Sequence, residues 1–163
     1  MRVNQGKRED MPVMPIAHLA ATDLEAISAQ LADWRQHFPR MGVMAFVPER
    51  ESLHLAAIQA LFRESDTPLV GAIFPAIIID GRFHSDGVLF YCFEKMPRYL
   101  LRQGLAQEGT ALVEASAALA ADIEKQLDDE DESTSLFLLF DAMLPRIGLI
   151  LEELYLQLAD QVH

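Results

Sequence analysis

Apolar residues recur along this chain in two rhythms, and the rhythms alternate. Between positions 22 and 38, Leu24, Ile27, Leu31, Trp34 and Phe38 follow one another at steps of three or four. Such steps put side chains on one face of a helix. Thr22 and Glu25 have capping-box spacing at its start, and Pro39 stops it. Positions 41–47 are instead a continuous apolar run closed by Pro48, which reads as a buried strand. A second helix is predicted over 52–63, with Leu55, Ile58, Leu61 and Phe62 turned inward. Ser65, Asp66, Thr67 and Pro68 carry turn chemistry. Positions 69–79 are rich in Ile and Val and predict a strand, broken near Phe74 and Pro75 because proline has no N–H for a central ladder. Asp80-Gly81 is a hairpin signal, and Gly87 leads into a further strand over 88–93. The strands 69–79 and 88–93 are expected to be antiparallel neighbours.

The second half begins with an irregular stretch over 94–109. An Ala-rich helix is predicted over 110–127, and the five acidic residues 128–132 form a solvated loop. Positions 136–141 again read as a buried strand. Pro145 suits a first helical turn, and a last helix over 147–158 carries Ile150, Leu151, Leu154 and Leu158 on one face. Strands alternating with helices predict a three-layer α/β fold, with a mostly parallel or mixed sheet and helices on both faces. Residues 1–15 read as a flexible leader and 16–163 as a single domain.

Composition narrows the function. The chain has 163 residues, 51% of them hydrophobic, enough for a packed core. Its net charge of -12 argues against nucleic acid and against an anionic membrane as partners. Its single cysteine, Cys92, excludes an internal disulfide and a cysteine-rich zinc site. No apolar run is long and unbroken enough to span a bilayer, and the N-terminus makes a poor signal peptide. The setting these features predict is cytoplasmic.

Enzyme signatures are missing. The chain has no glycine-rich phosphate loop, no G-x-S-x-G and no H-E-x-x-H. Cys92 lies inside an apolar strand, where cysteine acts as a small hydrophobe. No two of the five histidines have the i,i+4 spacing of a helical metal clip. His84 falls in the predicted hairpin loop, either as a solvated residue or as a ligand contact or axial haem ligand. His54 opens the second helix. Asp141 follows the apolar residues Leu136 to Phe140 of this predicted strand, and ligands of open α/β sheets gather at the carboxyl ends of strands. It either grips an amine or hydroxyl or bonds its own loop. Arg146 either pairs with Asp141, meets an anionic ligand or lies exposed at a helix start.

The order of these elements resembles the N-terminal module of the FIST sensory domain family. The match runs through the helix L-A-A-I-Q-A-L-F at 55–62, Pro68-Leu69-Val70-Gly71, the apolar strand, the hairpin, and Gly87-Val88-Leu89-Phe90. It continues through the apolar run 136–141 and the helix around Ile150-Leu151-Glu152-Glu153-Leu154-Tyr155, so that it covers about residues 40–160. The resemblance implies a cytoplasmic, non-catalytic input domain of signal transduction that binds a small molecule. Taken with the strand-end Asp141 and with Arg146, it gives Gly71, Phe74, Pro75, Asp141 and Arg146 as the expected ligand site. Some relatives are haem proteins that sense nitric oxide, so haem held by His84 or His54 is the alternative to a site without cofactor. After the glycine the family shows small and polar residues, whereas here Ala72-Ile73-Phe74-Pro75-Ala76-Ile77 follow. That change implies a more apolar ligand, or none. The chain also stops where the family continues into a further strand, which implies a half-length form, an excerpt, or a sheet completed by another copy. A homodimer or a signalling partner is the expected macromolecular contact, and a non-catalytic assembly module is the other function.

Overall fold

The computed structural model describes residues 14–103, 105, 109–127, 135–141 and 143–159. Positions 1–13 of the expected leader and the acidic run 128–132 lie outside the described residues. The chain divides into two units, one ending at Pro97 and one beginning at Arg98, and each has its own core.

In the first unit the apolar stripe at helical spacing becomes α1 (Leu24–His37). Ile27, Leu31 and Trp34 are buried, and the N-cap is Asp23, whose side chain accepts from the Ala26 N–H at 2.9 Å. The helix thus starts one turn position later than the Thr22–Glu25 pair suggests. At its far end Arg35 donates to the Ser65 carbonyl and to Thr67 Oγ1, which ties α1 to the turn after the second helix. The run after Pro39 becomes β2 (Gly42–Pro48). A short 3₁₀ helix (Glu49–His54) then precedes α2 (Leu55–Glu64), so the helix expected from residue 52 becomes regular only at Leu55.

Residues 69–79 break where proline demands it. β3 (Leu69–Phe74) ends before Pro75, and β4 (Ile77–Ile79) pairs antiparallel with β5 (Arg82–His84) across Asp80-Gly81. Both turn residues have positive φ, 51° and 74°, the conformation of a primed two-residue hairpin turn. β6 (Val88–Phe93) follows.

The sheet order corrects one expectation. It is β1-β6-β2-β3, with β1 (Ile16–Leu19) an additional strand, too short to show in the apolar pattern. β6 is antiparallel to both β1 and β2, and only β2 and β3 run parallel. The strands 69–79 and 88–93 are therefore not neighbours, because β2 lies between them. The result is a mixed sheet within an α/β fold. Period-2 alternation then selects the core. Val43, Ala45 and Val47 on β2, and Val88, Phe90 and Cys92 on β6, share one face. They meet Ile27, Leu31 and Trp34 of α1 and Ile58 and Phe62 of α2 in one cluster. Phe62 stacks on Phe90 with ring centres 5.9 Å apart.

In the second unit α3 (Thr110–Glu124) and α4 (Ile147–Leu158) pack through Leu112, Leu119, Ala120, Ile123, Ile150, Leu154 and Leu158. The strand expected over 136–141 is absent. Leu136, Leu138 and Phe140 pack on this core while Phe137 and Leu139 stay exposed, so the run is extended with period 2. No strand among the described residues of this unit offers it a ladder, and without a ladder an extended run is not sheet. No helix of the described residues is long and apolar enough to cross a membrane.

Candidate functional site

Three segments of the first unit converge on a cleft of about 330 Å³. The end of β1 supplies His18 and Leu19, and the following turn supplies Thr22. The 3₁₀ helix supplies Arg50, Glu51 and His54, and the loop between β5 and β6 supplies Asp86 and Gly87. Pro48, with φ -59° and ψ 141°, ends β2 and winds the chain into the 3₁₀ helix that presents Arg50 and Glu51 together.

Hydrogen bonds across the cleft hold these segments. His18 Nε2 lies 3.0 Å from the Asp86 carbonyl. A carbonyl only accepts, so this nitrogen carries the proton. The Gly87 N–H donates to Glu51 Oε1 at 3.2 Å, and Glu51 Oε2 lies 3.8 Å from His54 Nε2. Gly87 is buried with φ 74°, and a Cβ there would stand 2.4 Å from His18 Nε2. Glycine is required twice over, by its backbone conformation and by the imidazole against it. The cleft thus offers a guanidinium, two carboxylates, two imidazoles and a hydroxyl to a small polar molecule.

His54 lines this cleft, and His84 reaches it only through His18, whose ring it meets edge-on at 5.2 Å. His18 itself escaped sequence reasoning. It is 36 positions from His54 and 66 from His84 along the chain, and no local spacing links them. These residues do not fit a haem. His84 turns its ring on another imidazole, and the wall beside His54 carries Arg50, Glu51 and Asp86 where a porphyrin needs apolar surface. Among the described residues no cluster of three or more His, Cys, Asp or Glu is placed to hold a metal ion.

The residues expected around a ligand take the following places. Gly71 lies in the middle of β3, and a Cβ added to it would stand 2.1 Å from the Ala45 carbonyl oxygen. Phe74 ends β3 and stacks on Phe46 at 5.7 Å, and Pro75 follows it, exposed. Asp141 and Arg146 belong to the second unit. Asp141 is exposed and Oδ1 accepts the Met143 N–H at 2.8 Å, the local turn bond of an Asx residue. It does not end a strand. Arg146 precedes α4 with φ 60°.

Cys92 is buried at 2% exposure beside Met41, on the core face of β6. Burial, reinforced by the Glu94 carboxylate, raises its thiol from 9.0 to about 11. It is no nucleophile at neutral pH. The shift also has a sign for stability. Below pH 9.0 the thiol is protonated in both states and contributes nothing to pH dependence. Above it the unfolded thiol ionises first, so stability falls as pH rises towards about 11. Denaturant midpoints across that window should drop less for Cys92→Ala than for the wild type. Equal drops would assign the alkaline loss to other groups.

Compared with known proteins, residues 42–163 match the family model described as FIST N domain. That span contains the segments whose order and texture carried the resemblance. No curated protein and no solved structure matches.

Proposed function

Because the chain belongs to the FIST N domain family, a family of sensory domains, we propose that it is a cytoplasmic, non-catalytic input domain of signal transduction. Its ligand is a small polar molecule, and it binds in the cleft of the first unit. The carrying observation is the convergence of Arg50, Glu51, His54 and His18 on one cavity of about 330 Å³. That volume lies at the small end of ligand sites, which run from roughly 300 to 1,000 Å³. The wall has donors and acceptors of both charges, which suits recognition. It has no thiol or amine nucleophile, and Thr22 is its one hydroxyl among the described residues. The buried, protonated thiol of Cys92 agrees with a reading without covalent catalysis.

Native mass spectrometry of the protein as purified, followed by thermal-shift screening of small polar metabolites, identifies a ligand. Arg50→Ala and His54→Ala should each weaken its binding about tenfold, the effect of losing one charge-assisted hydrogen bond of about 1.4 kcal/mol. Asp141→Ala should leave it unchanged. The opposite pattern, a loss with Asp141→Ala alone, would overturn the assignment to this cleft.

A further inference from the structure

Among the described residues β3 is one edge of the four-stranded sheet, with no strand on its outer side. The phase of its ladder follows from one bond. The Val43 N–H donates to the Pro68 carbonyl at 2.9 Å, and Val43 is the partner of Leu69. In a parallel ladder that phase turns the N–H and C=O groups of Val70, Ala72 and Phe74 to or along β2. The N–H and C=O groups of Leu69, Gly71 and Ile73 therefore point away from β2. Gly71 is exposed, and Ile73 is 50% exposed.

Proteins blunt such edges with lysine, proline, a bulge or a short strand. The opposite edge is blunted in this way: β1 has four residues and follows Pro15. β3 has six residues and none of these devices within it. Charge selects what it pairs with. The chain carries a net -12, yet positions 67–79 hold no charged residue. Two copies that approach elsewhere oppose like charges. Along β3 they do not.

We infer that β3 pairs antiparallel with β3 of a second copy of this chain, about a two-fold axis through Gly71. An axis perpendicular to the sheet keeps each face continuous, so paired residue numbers sum to 142. Gly71 then meets Gly71 of the second copy, and Leu69 meets Ile73. These are the residues whose backbone groups face outward, and each such pair exchanges two N–H···O bonds. Thr67 meets Pro75, and the nearest charge, Asp66, meets the uncharged Ala76. The isologous contact joins the two sheets into one.

Sedimentation and light scattering on the full chain test this. The expected species has twice the 18.3 kDa chain mass. Ile73→Pro removes an outward N–H and no bond to β2, so it should halve the mass while the thermal midpoint stays within a few degrees. Ile73→Lys, a gatekeeper on the same exposed position, should also halve it and guards against misfolding of the proline variant. In the wild type the amides of Leu69, Gly71 and Ile73 should exchange slowly only at concentrations where the double mass is present. A monomer at every concentration, or a dimer that survives both variants, overturns the inference.

Discussion

Gly71→Ala is expected to detach β3 from the sheet and to cost at least about 3 kcal/mol, the upper range for forcing an atom into a packed site. The new Cβ would lie 2.1 Å from the Ala45 carbonyl oxygen and 3.0 Å from the carbonyl carbon. Both are backbone atoms of a strand that cannot step aside, since Ala45 is also paired with Phe90 on β6. Relief therefore comes from β3, which takes Leu69 off the core it packs against. With total stabilities of about 5–15 kcal/mol in domains of this kind, the variant sits near the unfolding threshold. Gly148→Ala is the control. That glycine lies in α4 with open space around its Cβ position, so the change should be neutral or stabilising by about 0.4–1 kcal/mol. Urea midpoints of both variants decide the matter, and a wild-type midpoint for Gly71→Ala would show that the strands have room to part.

Trp34→Ala should cost about 3–5 kcal/mol, the usual penalty for emptying a large aromatic site. Trp34 is 1% exposed and fills the space between α1 and the sheet. It also does something an apolar substitute cannot. Its Nε1–H donates to the Met14 carbonyl at 2.9 Å and so anchors the segment that leads into β1. Trp34→Phe should restore much of the packing yet leave that carbonyl without its donor, with a residual loss of about 1 kcal/mol. Tyr155→Ala, at a 72% exposed position of α4, should change stability by less than about 0.5 kcal/mol. A small loss for Trp34→Ala would mean that α1 is held mainly by its ends.

Much of this fold was legible in the sequence where periodicity was strong. The bounds of β6 and α4 follow directly from apolar runs and stripes, and Pro75 and Asp80-Gly81 marked the break and the hairpin. Failures came where local pattern lacks its usual cause. Residues 136–141 have the apolarity of a buried strand, but strand is a relation between segments, and no partner is present among the described residues. β1 has four residues, one of them His18, and its identity rests on pairing with β6 about 70 positions away. The same distance explains the site. Its residues come from positions 18–22, 50–54 and 86–87, and only the sheet order brings them together. His54 could be nominated as a polar residue at a helix start. His18, Arg50 and Glu51 could not. Gly71 was singled out for a ligand, and what the geometry shows is a close approach of two strands.

The position of β6 also bears on the order in which the first unit assembles. β1 and β2 come first in the chain, yet they never pair with each other, and β6 stands between them. β2 and β3 can associate through the local crossover that α2 provides, but β1 has nowhere to go until residues 88–93 arrive. Of the four strands of this sheet, the one that joins β1 to β2 is thus the last synthesised. A nascent chain that stops short of it carries half a sheet and an unplaced N-terminal segment, and the pairing of β1 with β6 closes the longest sequence separation within this sheet, the one with the largest loop-closure cost.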